Sequence, residues 1–370
     1  MSRHTHQTST TQQKISNFLY PVDSDTAVPQ RFVEFCRNSV ENIRGNMLYA
    51  DQNVPPYFNA TEYDGAETFN LNLNSLNEEN IVPLHPIQTR RPVVAVDTST
   101  LRLGELSDGV LCALRGAIVL LENDRYRFVR YGPFVFLLGY DALVSSRHLE
   151  HLGLPPFSGE PNIDNLLKRV RNMLERWLQF NVSTSVKNAF VLIDGSLTAG
   201  TPDNPSHELE RILDNTRRSN SVLIAISKKT RLRVNNQGLT HPLEEQRDPC
   251  LLDVDNEVTE QFPPYPVRFL GRVFVGKLAR LGYPFRIDVD RHVSSSSATN
   301  EFCQLMGTDI VDQGYPETLR LAHIFSTFTA TDVLAMQAFA TARLGVQLIP
   351  KVALRRSLFG PFGTAWEAYH

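Results

Sequence analysis

An α/β fold is what this 370-residue sequence predicts: a mixed β-sheet flanked by helices, preceded by a helical and irregular N-terminal extension. Three observations carry that expectation. Two apolar runs, Val93-Val94-Ala95-Val96 and Phe190-Val191-Leu192-Ile193, read as buried parallel-type strands, and each closes on an aspartate. Between them, 109–121 and 126–138 read as strands joined by the hairpin signal Glu122-Asn123-Asp124. Residues 162–180 (NIDNLLKRVRNMLERWLQF) put Ile163, Leu166, Leu167, Val170, Leu174, Trp177 and Leu178 on one helical face. Hairpin strands followed by strand–helix alternation give a mixed sheet with helices on its faces.

In order along the chain, residues 1–28 read as disordered. Residues 29–48 read as a helix, from their apolar and charged spacing. Residues 50–90 are rich in Asn, Pro and Glu and read as an irregular excursion, so the first 90 residues form an extension. The core domain is expected from Arg91 to 345, starting with RPVVAVDTST, where the strand should leave the sheet at Asp97. After the 162–180 helix come a strand at 189–194, a polar helix near 205–218 and a strand at 221–227. Residues 233–265 read as a Pro/Asn/Glu-rich loop. Strands near 267–276 and 284–290 follow, and two helices fill roughly 316–343. The second opens with Thr329-Ala330-Thr331-Asp332, which resembles a capping box. Residues 346–370 read as a tail.

Composition narrows the function classes. Hydrophobic residues are 42%, charged residues 21% and the net charge is -3, an ordinary globular balance. That excludes a wholesale basic nucleic-acid-coating protein but leaves room for a local basic groove. The start, MSRHTHQTSTTQQK, lacks a signal-peptide core, and no run approaches the roughly 18 apolar residues of a membrane span. Cys36, Cys112, Cys250 and Cys303 are widely separated and form no CxxC pair. This fits a reducing, cytoplasmic setting and argues against structural zinc.

The chemistry gathers where strands end. Asp97 and Asp194 close two strands, and sites in open α/β sheets lie at such carboxyl ends. The two carboxylates either converge on a hard cation or are independent turn formers. Glu175 sits off the centre of its helix's apolar stripe. It is either a solvated glutamate or a third carboxylate aimed at the aspartates. Lys228, Lys229, Arg231 and Arg233 follow a buried strand and suit phosphate contacts, or form a solvated basic turn. In RIDVDRH, Asp288 and Asp290 share one face of a strand, as further ligands or as solvated positions. His323 lies among apolar helix residues, as a core histidine or a metal ligand. Asp253-Val254-Asp255-Asn256-Glu257 lacks the glycine and distal glutamate of an EF-hand and reads as a solvated acidic loop.

Taken in order, VVAVDTS, the helix bearing Glu175, FVLIDGS, AISKKT and GYPETLRLAH resemble the NurA nucleases over roughly residues 90–345. That resemblance implies an RNase H-like fold. It also implies a metal-dependent deoxyribonuclease of 5′–3′ exonuclease and single-strand endonuclease type, which resects DNA ends as a homodimer with the HerA hexameric ATPase. Asp97, Glu175, Asp194 and His323 would then be both catalytic and ligands to Mn²⁺ or Mg²⁺, as two ions. Asp288 or Asp290 could join them, and Lys228, Lys229 and Arg231 would hold phosphate. Thr98 stands where the family often has glycine. The C-terminal ALRRSLFGPFGTAWEAYH is either a tail packed on its own domain or a partner-binding segment. Two other classes compete. An actin-like-fold small-molecule kinase also starts with an apolar strand ending in Asp, but no glycine-rich phosphate loop is found. A non-catalytic DNA-binding scaffold subunit could keep the fold without the chemistry.

Overall fold

The structure, a computed structural model, describes residues 29–50, 69–71, 80–141, 162–200, 204–230, 232–261 and 267–351. The stretch read as disordered, most of the 50–90 excursion and the tail beyond Lys351 lie outside the described residues.

In chain order the main elements begin with helix α1 (Gln30–Ser39) and strands β1 (Met47–Ala50), β2 (Ile81–Pro83), β3 (Val93–Leu106), β4 (Gly109–Glu122) and β5 (Arg125–Gly139). Helix α2 (Ile163–Ser185), β6 (Phe190–Asp194), α3 (Ser206–Arg218), β7 (Val222–Ser227), β8 (Cys250–Asp253) and α4 (Asp255–Gln261) follow. The chain continues through β9 (Gly271–Lys277), β10 (Phe285–Asp290), α5 (Ser295–Thr308), α6 (Glu317–Ser326), α7 (Ala330–Phe339) and β11 (Gln347–Pro350).

These strands form one sheet whose path runs β11-β1-β3-β6-β7-β10-β9-β8-β2, with β4 and β5 continuing from the other edge of β3. The centre is an antiparallel meander β3-β4-β5, then α2, β6 parallel to β3, α3 and β7 parallel to β6. The spatial order β5-β4-β3-β6-β7 is the expected mixed, RNase H-like sheet. Its faces are covered as the apolar patterns require. Leu174 and Leu178 of α2 and Leu209 of α3 pack with Val94, Val96 and Ile118 on one side. Phe302 of α5 and Leu319 and Ala322 of α6 pack with Ala95, Val119 and Leu192 on the other. At Gly116 a Cβ would stand 2.5 Å from Leu178 Cδ1, so this glycine is what lets α2 lie so close.

The structure departs from the sequence reading in several places. Strand β3 does not stop at Asp97 but runs on to Leu106, because β4 pairs with its whole length. The sheet does not begin at Arg91: β1 and β2 precede it, and β11, from the segment read as tail, pairs with β1. The 233–265 segment is not a loop, since β8 pairs antiparallel with β9 and α4 follows it. Its apolar run is only Cys250-Leu251-Leu252, too short to signal a strand by period. Within it, Asp255 is buried and ion-paired with Arg272 and Arg291 rather than solvated. Helix α5 was not expected at all. Its first turn is a polar Ser run capped by the Ser294 side chain, and only Ala298, Phe302, Cys303 and Leu305 are buried.

Candidate metal centre

The parallel register of β3 and β6 pairs Val96 with Ile193, which brings Asp97 and Asp194 level as the next residues in line. Strand β6 ends there. Gly195 follows with φ +118°, a conformation that L side chains rarely adopt, and turns the chain away. Asp97 is buried and shares its sheet face with Val93 and Ala95, the face covered by α5 and α6.

Helix α6 lays two side chains on Asp97. His323 Nδ1 lies 3.0 Å from Asp97 Oδ2, and the Ser326 hydroxyl donates to the same oxygen at 2.6 Å. One ligand atom from each of Asp97, Asp194 and His323 lies within 4.8 Å of the others. Atoms sharing one ion at about 2.1–2.5 Å are separated by at most about 5 Å, so the spacing suits a common cation. Two carboxylates and an imidazole are a hard-to-borderline donor set that fits a divalent metal ion. Helix α6 is held at both ends. The Asp309 carboxylate accepts from the Thr318 N–H at 3.0 Å and from the Tyr126 hydroxyl at 2.9 Å. At the other end, Arg115 donates to the Thr327 carbonyl and, through both terminal nitrogens, to Asp332.

Glu175 adjoins this cluster from the opposite sheet face without entering it. Its carboxylate accepts from Thr98 Oγ1 at 3.0 Å and from Gln179 Nε2 at 2.9 Å, so it is anchored rather than solvated. Burial raises its pKa, Arg171 opposes the rise and the Asp97 charge adds to it. Burial likewise raises the Asp194 carboxyl, against the pull of Lys228, with Asp97 pushing it further up. Lys228 Nζ lies 2.7 Å from Asp194 Oδ2, while Lys229 is exposed and Arg231 lies outside the described residues.

Asp288 and Asp290 lie outside this three-residue cluster and are buried rather than solvated. Asp288 takes Arg286 through both oxygens and accepts from the Leu197 N–H. Asp290 takes Arg217 through both oxygens and accepts from the His292 N–H. Each charge is thus matched by a guanidinium and a backbone donor.

Three contributors escaped the sequence reading. Ser326 is one helical turn after His323, and that i, i+3 spacing was a usable signal. Thr98, seen only as a departure from a family glycine, ties Glu175 to β3. Tyr315 is buried with Lys228 Nζ 5.4 Å from its ring centroid, and its hydroxyl has no partner among the described residues. It lies in the GYPETLRLAH run, where the sequence reading gave a role only to His323.

No family model matches the sequence, and no curated protein matches it. Several solved structures are similar. The NurA nuclease from Sulfolobus solfataricus has a TM-score of 0.47 and 14% identity, over 71% of this chain and 88% of that one. A second NurA structure has a TM-score of 0.46 and 9% identity, over 73% and 93%. A NurA bound to dAMP and manganese has a TM-score of 0.42 and 9% identity, over 71% and 90%. Identity this low transfers no residue role, so the roles that follow rest on the site's own geometry.

Proposed function

We propose that this chain is a metal-dependent nuclease that hydrolyses phosphodiester bonds of DNA. The observation that carries the reading is the convergence of Asp97, Asp194 and His323 where the parallel pairing of β3 and β6 ends. Asp97 and Asp194 would hold Mn²⁺ or Mg²⁺ together with His323, and a second ion would draw on Glu175. Bound there, the metal would supply Lewis acidity for the attacking water and for the crowded phosphoryl oxygens.

The chain's own groups divide the remaining work. Ser326 fixes the rotamer of Asp97 by donating to Oδ2. As the tautomer protonated at Nδ1, His323 would donate to that same oxygen and keep Nε2 as its ligand atom for the metal. Lys228 compensates Asp194 and, at the rim, can trade that partner for a phosphate oxygen of the strand. Exposed Lys229 gives a second phosphate contact. No serine or cysteine nucleophile is required, and all four cysteines are buried and free.

The NurA-type reading extends this to a homodimer working with a HerA-type hexameric ATPase on DNA ends. The test is cleavage of end-labelled single- and double-stranded DNA by the purified full chain, with and without Mn²⁺ and the ATPase. Undiminished cleavage by Asp97→Ala would sink the assignment.

A further inference from the structure

Strand β5 carries an aromatic feature that hydrolysis at the metal centre does not use. The Phe128 side chain is 52% exposed, yet its ring stacks on Phe325 of α6 with centroids 4.0 Å apart and planes 18° apart. The Arg130 guanidinium lies 5.8 Å from the Phe128 centroid and 5.2 Å from that of Phe325. Register places this group on the same sheet face as the metal centre. Asp97 pairs with Ala117, which pairs with Arg130, and two residues back Ala95 pairs with Val119, which pairs with Phe128. Two strand spacings put Arg130 about 10 Å from Asp97 across the sheet. Helix α6 spans the gap. His323 faces Asp97 on one flank, Phe325 meets Phe128 on the other, and exposed Ile324 lies between them in sequence.

We propose that Phe128, backed by Phe325 and flanked by Arg130, is a stacking platform for an unpaired base of the strand whose phosphodiester reaches Asp97, Asp194 and His323. The proposal rests on the nuclease reading and names its substrate as a strand with unpaired bases. An exposed aromatic face takes any base through its π-surface, and a neighbouring guanidinium pairs with the backbone phosphate. A protein partner fits less well. One aromatic side chain offers at most about 250 Å², against about 800 Å² per side for a stable protein interface. The exposed neighbour of Phe128 on the same face of β5 is the cationic Arg130, while Arg125 and Arg127 alternate to the opposite face.

The test is equilibrium binding by fluorescence anisotropy, without divalent metal, of a labelled oligothymidylate and of an abasic oligomer of equal length. Phe128→Leu keeps an apolar packing group and removes the π-face. It should weaken oligothymidylate binding about tenfold and leave the abasic oligomer unchanged. Phe128→Tyr should restore binding. Equal losses on both oligomers, no loss on either, or a shift in self-association on sedimentation would overturn the proposal. The readout needs no cleavage. A wild-type chain that binds by bases but cuts nothing would refute the nuclease reading and leave the platform standing.

Discussion

Asp97, Asp194 and Glu175 crowd three carboxylates where the pairing of β3 with β6 ends, so the charge state of this corner sets a stability cost. Burial and mutual repulsion raise the Asp194 and Glu175 carboxyls. A carboxyl raised on folding binds its proton more tightly in the native state. Its contribution to stability is full below the ordinary carboxylate range and is lost as pH rises through the raised value. Metal-free stability should therefore fall across that window, through these two groups. Glu175→Gln should remove its share. The Gln carbonyl can accept from Gln179, and the Thr98 hydroxyl can rotate to accept from the new amide. Thermal melts from acid to neutral pH should show the variant gaining on the wild type as pH rises, by ~1–2 °C at neutrality. A constant difference at all pH values would contradict the assignment. Mn²⁺ should act in the opposite sense on the wild type, stabilising it by about 2.7 kcal/mol at a hundredfold excess over Kd. Asp97→Asn should abolish that metal-induced rise in Tm while leaving the metal-free fold intact, and a full rise in the variant would remove Asp97 from the ligand set.

Helix α6 is the element on which the centre depends, because it alone carries both His323 and Ser326 to Asp97. Its C-terminal corner is clamped by buried Arg115, whose guanidinium forks onto Asp332, reaches the Thr327 carbonyl and sits 4.5 Å from the Phe328 centroid. The same contact holds the Asp332 carboxyl well below its usual range. Arg115→Met should cost about 2–3 kcal/mol, below the range for a fully buried pair because Asp332 is partly exposed and keeps its Thr329 cap. Mn²⁺ titration by calorimetry should weaken as well, since the corner lies one residue beyond Ser326; unchanged metal affinity with lowered Tm would confine Arg115 to stability. This dependence also explains what was legible in the sequence. The two strand–aspartate runs, the hairpin and the apolar face of α2 are patterns internal to one element, so periodicity exposed them. What Asp290 does depends on Arg217, 73 residues away, and alternation along β10 shows only which face it shares. Glu175 looked solvated on its helix and became anchored because Gly116 lets α2 approach the sheet. Helix α5 was hidden by its Ser-rich first turn, and β8 by a run of three apolar residues.

Across the whole molecule the net charge of -3 offers no general attraction for a polyanion, so strand binding must come from local cations. The site supplies few: Lys228 paired with Asp194, exposed Lys229, and Arg130 beside the aromatic pair. Each phosphate neutralised on a single strand contributes about -0.7 to the slope of log affinity against log salt. Three contacts therefore give a slope of about -2, shallow for a nucleic-acid-binding protein. Lys229→Ala should weaken binding equally across sequences and bring the slope nearer zero by about 0.7. The same substitution should leave the preference for oligothymidylate over an abasic strand untouched, because that preference lives in stacking and not in charge. A slope several times steeper would mean that the strand follows a longer cationic track. Arg125 and Arg127, exposed on the opposite face of β5, would be the first residues to test for a strand that wraps the sheet's outer edge, since that edge has no further strand paired to it among the described residues.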